Sequence, residues 1–206
     1  MQTILGSNGQ IGHELAKELY KNYTKEIRLV SRKPQKIHDS DELVSADLLD
    51  FNETNNAISG SDIVYFTVGL PMDSEMWMKQ FSKILDSDST LRTLIWTPDA
   101  SRAMALIGNA DDAYGQTWHL PCDRSLTYKE MINIADKIEN EKLSYSIIKL
   151  WKFKVGSLFN KNAKELLELL PRYEVDNLFN SDKFKKRFPS FPVTSFESRI
   201  KQILVK

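Results

Sequence analysis

Apolar residues recur along this chain with two periods. The short runs Thr3-Ile4-Leu5, Ile27-Arg28-Leu29-Val30, Leu43-Val44-Ser45-Ala46 and Ile63-Val64-Tyr65-Phe66-Thr67-Val68 have the length and branched composition of buried strands. Between the first two, Ile11, Leu15 and Leu19 lie four apart, which predicts a helix from about Gln10 to Lys21. A second helix is expected over roughly Asn52 to Ser59, between the third and fourth strands. Strands that alternate with crossovers build a parallel sheet with helices on both faces, and right-handed crossovers give the strand order 3-2-1-4. The fold class is therefore α/β.

Further along, the punctuation is mainly helical. Residues 71 to 85 can form one helix, with Met76, Phe81, Ile84 and Leu85 as its candidate core, and Asp86-Ser87-Asp88-Ser89 reads as a polar exit loop. Thr127-Tyr128-Lys129-Glu130 is a capping box ahead of Met131, Ile134 and Ile138. Asn162-Ala163-Lys164-Glu165 resembles another, ahead of a leucine-rich stretch stopped by Pro171. Thr194-Ser195-Phe196-Glu197 starts a last helix, with Ile200, Ile203 and Leu204 facing inward. In Ser181 to Phe188, basic and aromatic residues interleave, but Phe184 and Phe188 are four apart, so one buried face with solvated lysines is expected rather than a nucleic-acid surface.

Composition narrows this picture. With 206 residues, 28 basic and 28 acidic, the chain presents no net field that would draw nucleic acid or a membrane surface. The charge is uneven, since Lys149 to Lys206 holds 13 basic and 6 acidic residues. Cys122 is the only cysteine, which excludes an internal disulfide and a cysteine-cluster metal site and fits a reducing, cytoplasmic location. The apolar runs are too short to span a bilayer and the N-terminus enters a strand directly, so neither signal peptide nor anchor is expected. His13, His38 and His119 are scattered away from metal-ligand spacing, and no metal site is expected.

The candidate chemistry lies at Gly6-Ser7-Asn8-Gly9-Gln10-Ile11-Gly12, between the first strand and the first helix. Glycines there permit a tight turn, close approach of a pyrophosphate, and close contact between helix and strand, while the helix N-terminus attracts the phosphates. The second strand ends in Ser31-Arg32-Lys33. An acidic residue near that position would hold ribose hydroxyls, whereas a basic one accommodates a 2′-phosphate, so Arg32 favours NADP over NAD. Asp47, past the third strand, has two roles open to it, accepting a hydrogen bond from the adenine amino group or capping the next helix. Gly69, past the fourth strand, would let a cofactor lie against the backbone.

Taken together, the glycine turn, Ser31-Arg32, Asp47-Leu48-x-Asp50 and Thr67-Val68-Gly69 resemble the NAD(P)-dependent epimerase/dehydratase family, the extended short-chain dehydrogenase/reductases. The resemblance resumes at Leu91 to Ala103, which looks like the segment that leads that family's chain back to the sheet and into a helix. Gly115 to Leu120 looks like the strand that follows. It implies a Rossmann-like domain over residues 1–120, shortened after residue 69, and a small substrate-side lobe over 121–206. It also adds Ser7, Asn8, Gln10, Ile11, Ser31, Leu48, Thr67 and Val68 to the cofactor-binding set.

The family places its catalytic serine or threonine and its Tyr-x-x-x-Lys pair on further strand and helix units after the fourth strand. Here only residues 70 to 90 stand in that place, whereas two such units need about 60. Tyr145-Ser146-Ile147-Ile148-Lys149 matches the spacing, but its alternating pattern suits a strand, and the catalytic role is not carried onto it. The catalytic residues are thus unknown. Two functions remain in view: an NADP-linked epimerase-like oxidoreductase impaired in catalysis, and a non-catalytic dinucleotide-binding module or redox sensor. The pattern leaves the small-molecule substrate and the oligomeric state open.

Overall fold

The structure, a computed structural model, describes residues 1–67, 83–156 and 173–204. Val68, Gly69, Met76, Phe81 and the capping box at Asn162 lie outside the described residues. The chain divides into two compact units. The first draws on residues 1–67, 96–121 and 184–191, the second on 83–95, 122–156, 173–183 and 192–204.

The first unit is built on a parallel sheet of β1 (Gln2–Leu5), β2 (Ile27–Ser31), β3 (Glu42–Ser45) and β4 (Ile63–Phe66) in the order 3-2-1-4, as the crossover rule requires. Ile4 stands opposite Leu29 on one side and Tyr65 on the other. Successive residues of a strand face opposite ways. Ile4, Leu29 and Tyr65 accordingly join Leu15, Ala16 and Leu19 of α1 (Gln10–Asn22) and Ala105 in one core. Leu5 and Val30 point to the other face, against Ala46 and Ala57 of α2 (Phe51–Ile58). Arg28 reaches from β2 to donate to the Ala57 and Ser59 carbonyls, at 2.9 and 2.7 Å, which satisfies the C-terminal end of α2.

The helix α3 (Thr97–Gly108) closes the first core. Its last turn rests on Tyr65, so closely that a Cβ on Gly108 would meet the phenol ring carbons at 2.9 Å. The phenol donates to Gln2 Oε1 at 3.0 Å and accepts from Asn109 Nδ2 at 3.3 Å, while Gln2 Nε2 donates to Asn109 Oδ1 at 2.7 Å. Burial pushes the Tyr65 phenol well above its ordinary value, and the closed ring of donors and acceptors keeps it satisfied as a neutral group.

Of the helix expected over 71–85, residues 71–82 lie outside the described residues, and its last three residues are extended instead. Lys83–Leu85 forms β5, which pairs in parallel with β8 (Ser146–Ile148) and sets buried Ile84 opposite Ile147. Asp86 turns the chain immediately afterwards with φ of 59°. The strand β6 is only Leu91–Arg92, and it pairs antiparallel with β7 (Leu126–Thr127), not with the parallel sheet expected from the family resemblance. The capping box at Thr127 forms as read, with reciprocal bonds to Glu130, and opens α4 (Tyr128–Glu139), which ends on Asn140 in the left-handed region. Helices α5 (Leu150–Gly156) and α7 (Phe196–Leu204) complete the described part of this unit, while α6 (Asp182–Arg187) belongs to the first unit from Phe184 onward. Phe196 packs with Leu126 and Met131, and buried Arg199 donates to the Leu94 carbonyl at 3.0 Å.

Phe184 and Phe188 are buried while Lys183, Lys185 and Lys186 are exposed, as their spacing requires. Both rings join Ala103, Trp118 and Phe191 in a cluster of the first unit. This cluster explains a second departure. Gly115 to Leu120 forms no strand, because Gly115 takes φ of 68°, the Trp118 indole donates to the Ala113 carbonyl at 3.0 Å, and Trp118 and Leu120 turn into the aromatic cluster.

Candidate functional site

The site lies at the carboxyl ends of β1 and β2. Gly6 leaves β1 with φ of 82°, a conformation that a side chain would strain. The Gly6 and Ser7 N–H groups both donate to the Val30 carbonyl, at 2.9 and 3.2 Å, which fixes the turn to β2. Gly9 N–H returns to the Gly6 carbonyl at 3.0 Å, and Gly9 is the N-cap of α1. The first backbone bond of the helix runs from His13 N–H to the Gly9 carbonyl at 2.9 Å. Gln10, Ile11 and Gly12 thus supply the N–H groups of the first turn, the end of a helix that attracts anions.

Gly12 carries the strictest demand. A Cβ there would lie 2.8 Å from the Gly6 carbonyl oxygen, 2.9 Å from Ser7 Cα and 2.9 Å from Thr67 Oγ1. Thr67 itself donates through its N–H and its hydroxyl to the Leu5 carbonyl, each at 2.9 Å. Gly6, Gly12 and Thr67 are therefore brought together, and a helix start is pressed onto a strand end. These are two of the three services that glycines perform in a dinucleotide turn, and a cradle of this shape fits a pyrophosphate.

At the end of β2, Arg32 and Lys33 are exposed, and among the described residues neither side chain has an ion-pair partner. Ser31 Oγ is buried without a hydrogen-bond partner, an orphaned donor and acceptor where a ribose would lie. Asn8 Nδ2 donates to the Lys33 carbonyl at 2.8 Å. Ser45, at the end of β3 and absent from the sequence-derived set, donates through its hydroxyl to the Arg32 carbonyl at 3.0 Å. A partner 13 residues away in the chain left no trace in local pattern.

The aspartates past β3 divide their work differently from one of the readings. Asp50, not Asp47, caps α2, accepting from Glu53 N–H at 2.9 Å. Asp47 Oδ1 accepts from Leu49 N–H at 3.1 Å, and Asp47 N–H donates to Glu53 Oε2 at 2.7 Å. Three residues separate a cap from its N3 partner, and only Asp50 has that spacing to Glu53. Leu48 packs on the second core beside Ala46 and Ala57, while Leu49 is 96% exposed.

Tyr145 and Lys149 flank β8 in the second unit. The phenol donates to Asp88 Oδ2 at 2.8 Å, which raises it above its ordinary value, and Lys149 Nζ donates to the Asp86 carbonyl at 2.7 Å. Each is engaged by the Asp86 to Ser89 loop. Among the described residues no group of three or more His, Cys, Asp or Glu side chains is placed to hold a metal, and no helix is long and apolar enough to cross a membrane.

Among curated proteins no sequence matches the chain. Solved structures share its fold at low identity. An NADPH-dependent quinone oxidoreductase from Escherichia coli, complexed with NADPH, is 13% identical with a TM-score of 0.77 and is covered over 100% of its length by 99% of this chain. A Citrobacter sp. triphenylmethane reductase complexed with NADP(H) is 12% identical with a TM-score of 0.74, covering 98% of this chain and 99% of that one. A nucleoside-diphosphate-sugar epimerase from Staphylococcus aureus is 14% identical with a TM-score of 0.71, covering 97% and 99% respectively. The family described as NAD(P)H-binding matches residues 6–156, starting at the first glycine of the turn. With that match across most of its length and the cradle at Gly6, Gly9 and Gly12, the chain belongs to the NAD(P)H-binding family.

Proposed function

We propose that this chain binds NADP(H) in preference to NAD(H) and is a relative of sugar-nucleotide epimerase/dehydratases and related oxidoreductases with impaired catalysis. The observation that carries the reading is the pair Arg32 and Lys33, exposed and, among the described residues, without ion-pair partners at the end of β2, where an acidic residue would select the ribose hydroxyls of NAD. Two of the fold relatives hold NADPH or NADP(H). The glycine turn would hold the pyrophosphate, Ser31 and Arg32 the adenosine ribose and its 2′-phosphate, and Asp47 with Leu48 the adenine. Thr67 keeps the wall of the turn in place. Bound NADPH would supply a hydride, and the protein would supply its orientation.

Impairment follows from the short connection at residues 70 to 90, which leaves no room for the two units that carry the acid and its lysine in the family. Tyr145 and Lys149 do not replace them in this reading, because a phenol already donating to Asp88 with a raised proton affinity is a poor proton donor. The same observation favours the second reading, a non-catalytic dinucleotide-binding module or redox sensor. A reducing cytoplasmic location suits the lone, buried Cys122.

Fluorescence titration with NADPH and NADH tests the assignment. Wild type should prefer NADPH, and Arg32→Asp should move the ratio of the two affinities towards NADH by about tenfold or more, the scale of a charge-assisted contact. An unchanged ratio removes the phosphate role. Steady turnover of NADPH with a sugar nucleotide or carbonyl compound would overturn the impairment and with it the sensor reading.

A further inference from the structure

The carbonyl oxygens of three consecutive residues at the end of β2 are each held by a different donor. Ser31 C=O accepts from Ala46 N–H at 3.1 Å, the last rung towards β3. Arg32 C=O accepts from the Ser45 hydroxyl at 3.0 Å, and Lys33 C=O accepts from the Asn8 amide at 2.8 Å. Pro34 follows, with a fixed φ of its own and a restriction on the backbone of Lys33. The far end of the loop is pinned as well. Asp41 Oδ2 accepts from Ile37 N–H and His38 N–H, at 3.0 and 2.7 Å, and the His38 ring stacks on Tyr20 of α1 at 3.8 Å with an interplanar angle of 3°. Main chain is thus fixed while the Arg32 and Lys33 side chains stay in solvent.

Hydrogen bonds as exposed as these two contribute little to the stability of the fold. Their effect falls instead on the dipeptide they hold, since both cations are carried by backbone that is already ordered before a ligand arrives.

We propose that Ser45 and Asn8 are positioning residues for cofactor choice, which hold the Arg32 and Lys33 carbonyls so that both cations meet one 2′-phosphate. This rests on the phosphate role given to Arg32 and Lys33 above and extends it to two residues that do not touch the phosphate. It also changes what Asn8 does. Its side-chain donor serves the loop, and only its backbone belongs to the cradle. The physical basis is the ordering cost of binding. A dianion that needs two long side chains pays less when their backbone is preset, and a ligand that uses neither side chain is indifferent to the clamp. NADPH and NADH differ in that one group, so the clamp acts on their ratio.

The test is a fluorescence titration of the full chain with NADPH and NADH, for wild type, Ser45→Ala, Ser45→Thr, Asn8→Ala and Arg32→Asp. Ser45→Ala should weaken NADPH about threefold to tenfold, the range for loss of one modest hydrogen bond, while NADH affinity stays at the wild-type value. Ser45→Thr keeps a hydroxyl and should restore most of the loss. Asn8→Ala should lower the NADPH to NADH ratio by a similar factor. Should Ser45→Ala and Asn8→Ala leave the ratio unchanged while Arg32→Asp shifts it, the clamp is overturned and the phosphate role stands. If Arg32→Asp leaves the ratio unchanged as well, both fall. An equal loss for both cofactors in Ser45→Ala, without rescue by Ser45→Thr, marks a structural role and overturns the proposal.

Discussion

Gly12 shows how much one missing side chain decides. Added there, a Cβ meets three neighbours at 2.8 or 2.9 Å, and two of them are backbone atoms that cannot swing aside. Gly12→Ala must therefore push α1 away from β1, an overpacking cost of about 1–3 kcal/mol. Urea unfolding should register that loss, and NADPH titration should show weakened binding, because the first-turn N–H groups move with the helix. An Ala variant as stable as wild type would refute the close-contact role. Gly9 is under milder pressure, with the Gly6 carbonyl at 3.3 Å. The three glycines were legible in the sequence as a spaced set, whereas the ranking among them was not. It depends on how the turn folds back on the Gly6 carbonyl and Ser7 Cα, and on Thr67, which lies 55 residues away from Gly12.

Among the elements, α2 separates two aspartates that the sequence left entangled. Asp50 accepts from the N3 N–H and caps the helix, so Asp50→Ala should cost about 1 kcal/mol in denaturant unfolding. Asp47→Ala should leave the helix nearly intact and weaken NADPH and NADH by the same factor, since both carry the adenine. A change in the cofactor ratio, or a larger stability loss for Asp47→Ala than for Asp50→Ala, would reverse the assignment. The capping box at Thr127 is legible in the sequence because its partners sit three residues apart, within the reach of local pattern. The strands β5 and β8 were not paired from the sequence, because Lys83 finds Ser146 across a long stretch of chain and three residues carry too little periodicity to announce a partner.

For the whole molecule, the described residues assigned to the cofactor all fall in the first unit. Hydrogen exchange with and without saturating NADPH should show the strongest added protection at residues 6–13 and 31–33. At a ligand concentration of 100 times Kd, binding also stabilises the folded state by about 2.7 kcal/mol, which thermal unfolding would register. Strongest protection in the second unit would displace the site from the glycine turn. The division into units also shows why the Gly115 to Leu120 strand failed to appear. Alternating Trp118 and Leu120 fit a strand by period, but Phe184 and Phe188, brought from far along the chain, offer a larger apolar surface than a ladder would.

The sequence by itself determined the glycine turn, the parallel order 3-2-1-4, the two faces of the sheet and the basic end of β2, because each follows from spacing within a segment or from the handedness of a crossover. Only the tertiary structure decided which aspartate caps α2, how tightly Gly12 is held, and where the Asn8 and Ser45 side chains spend their donors. Those outcomes depend on groups that meet through the sheet, and a donor's choice of a distant carbonyl has no signature in periodicity. The turn is thus written locally, and the contacts that hold it are set by what the fold brings beside it.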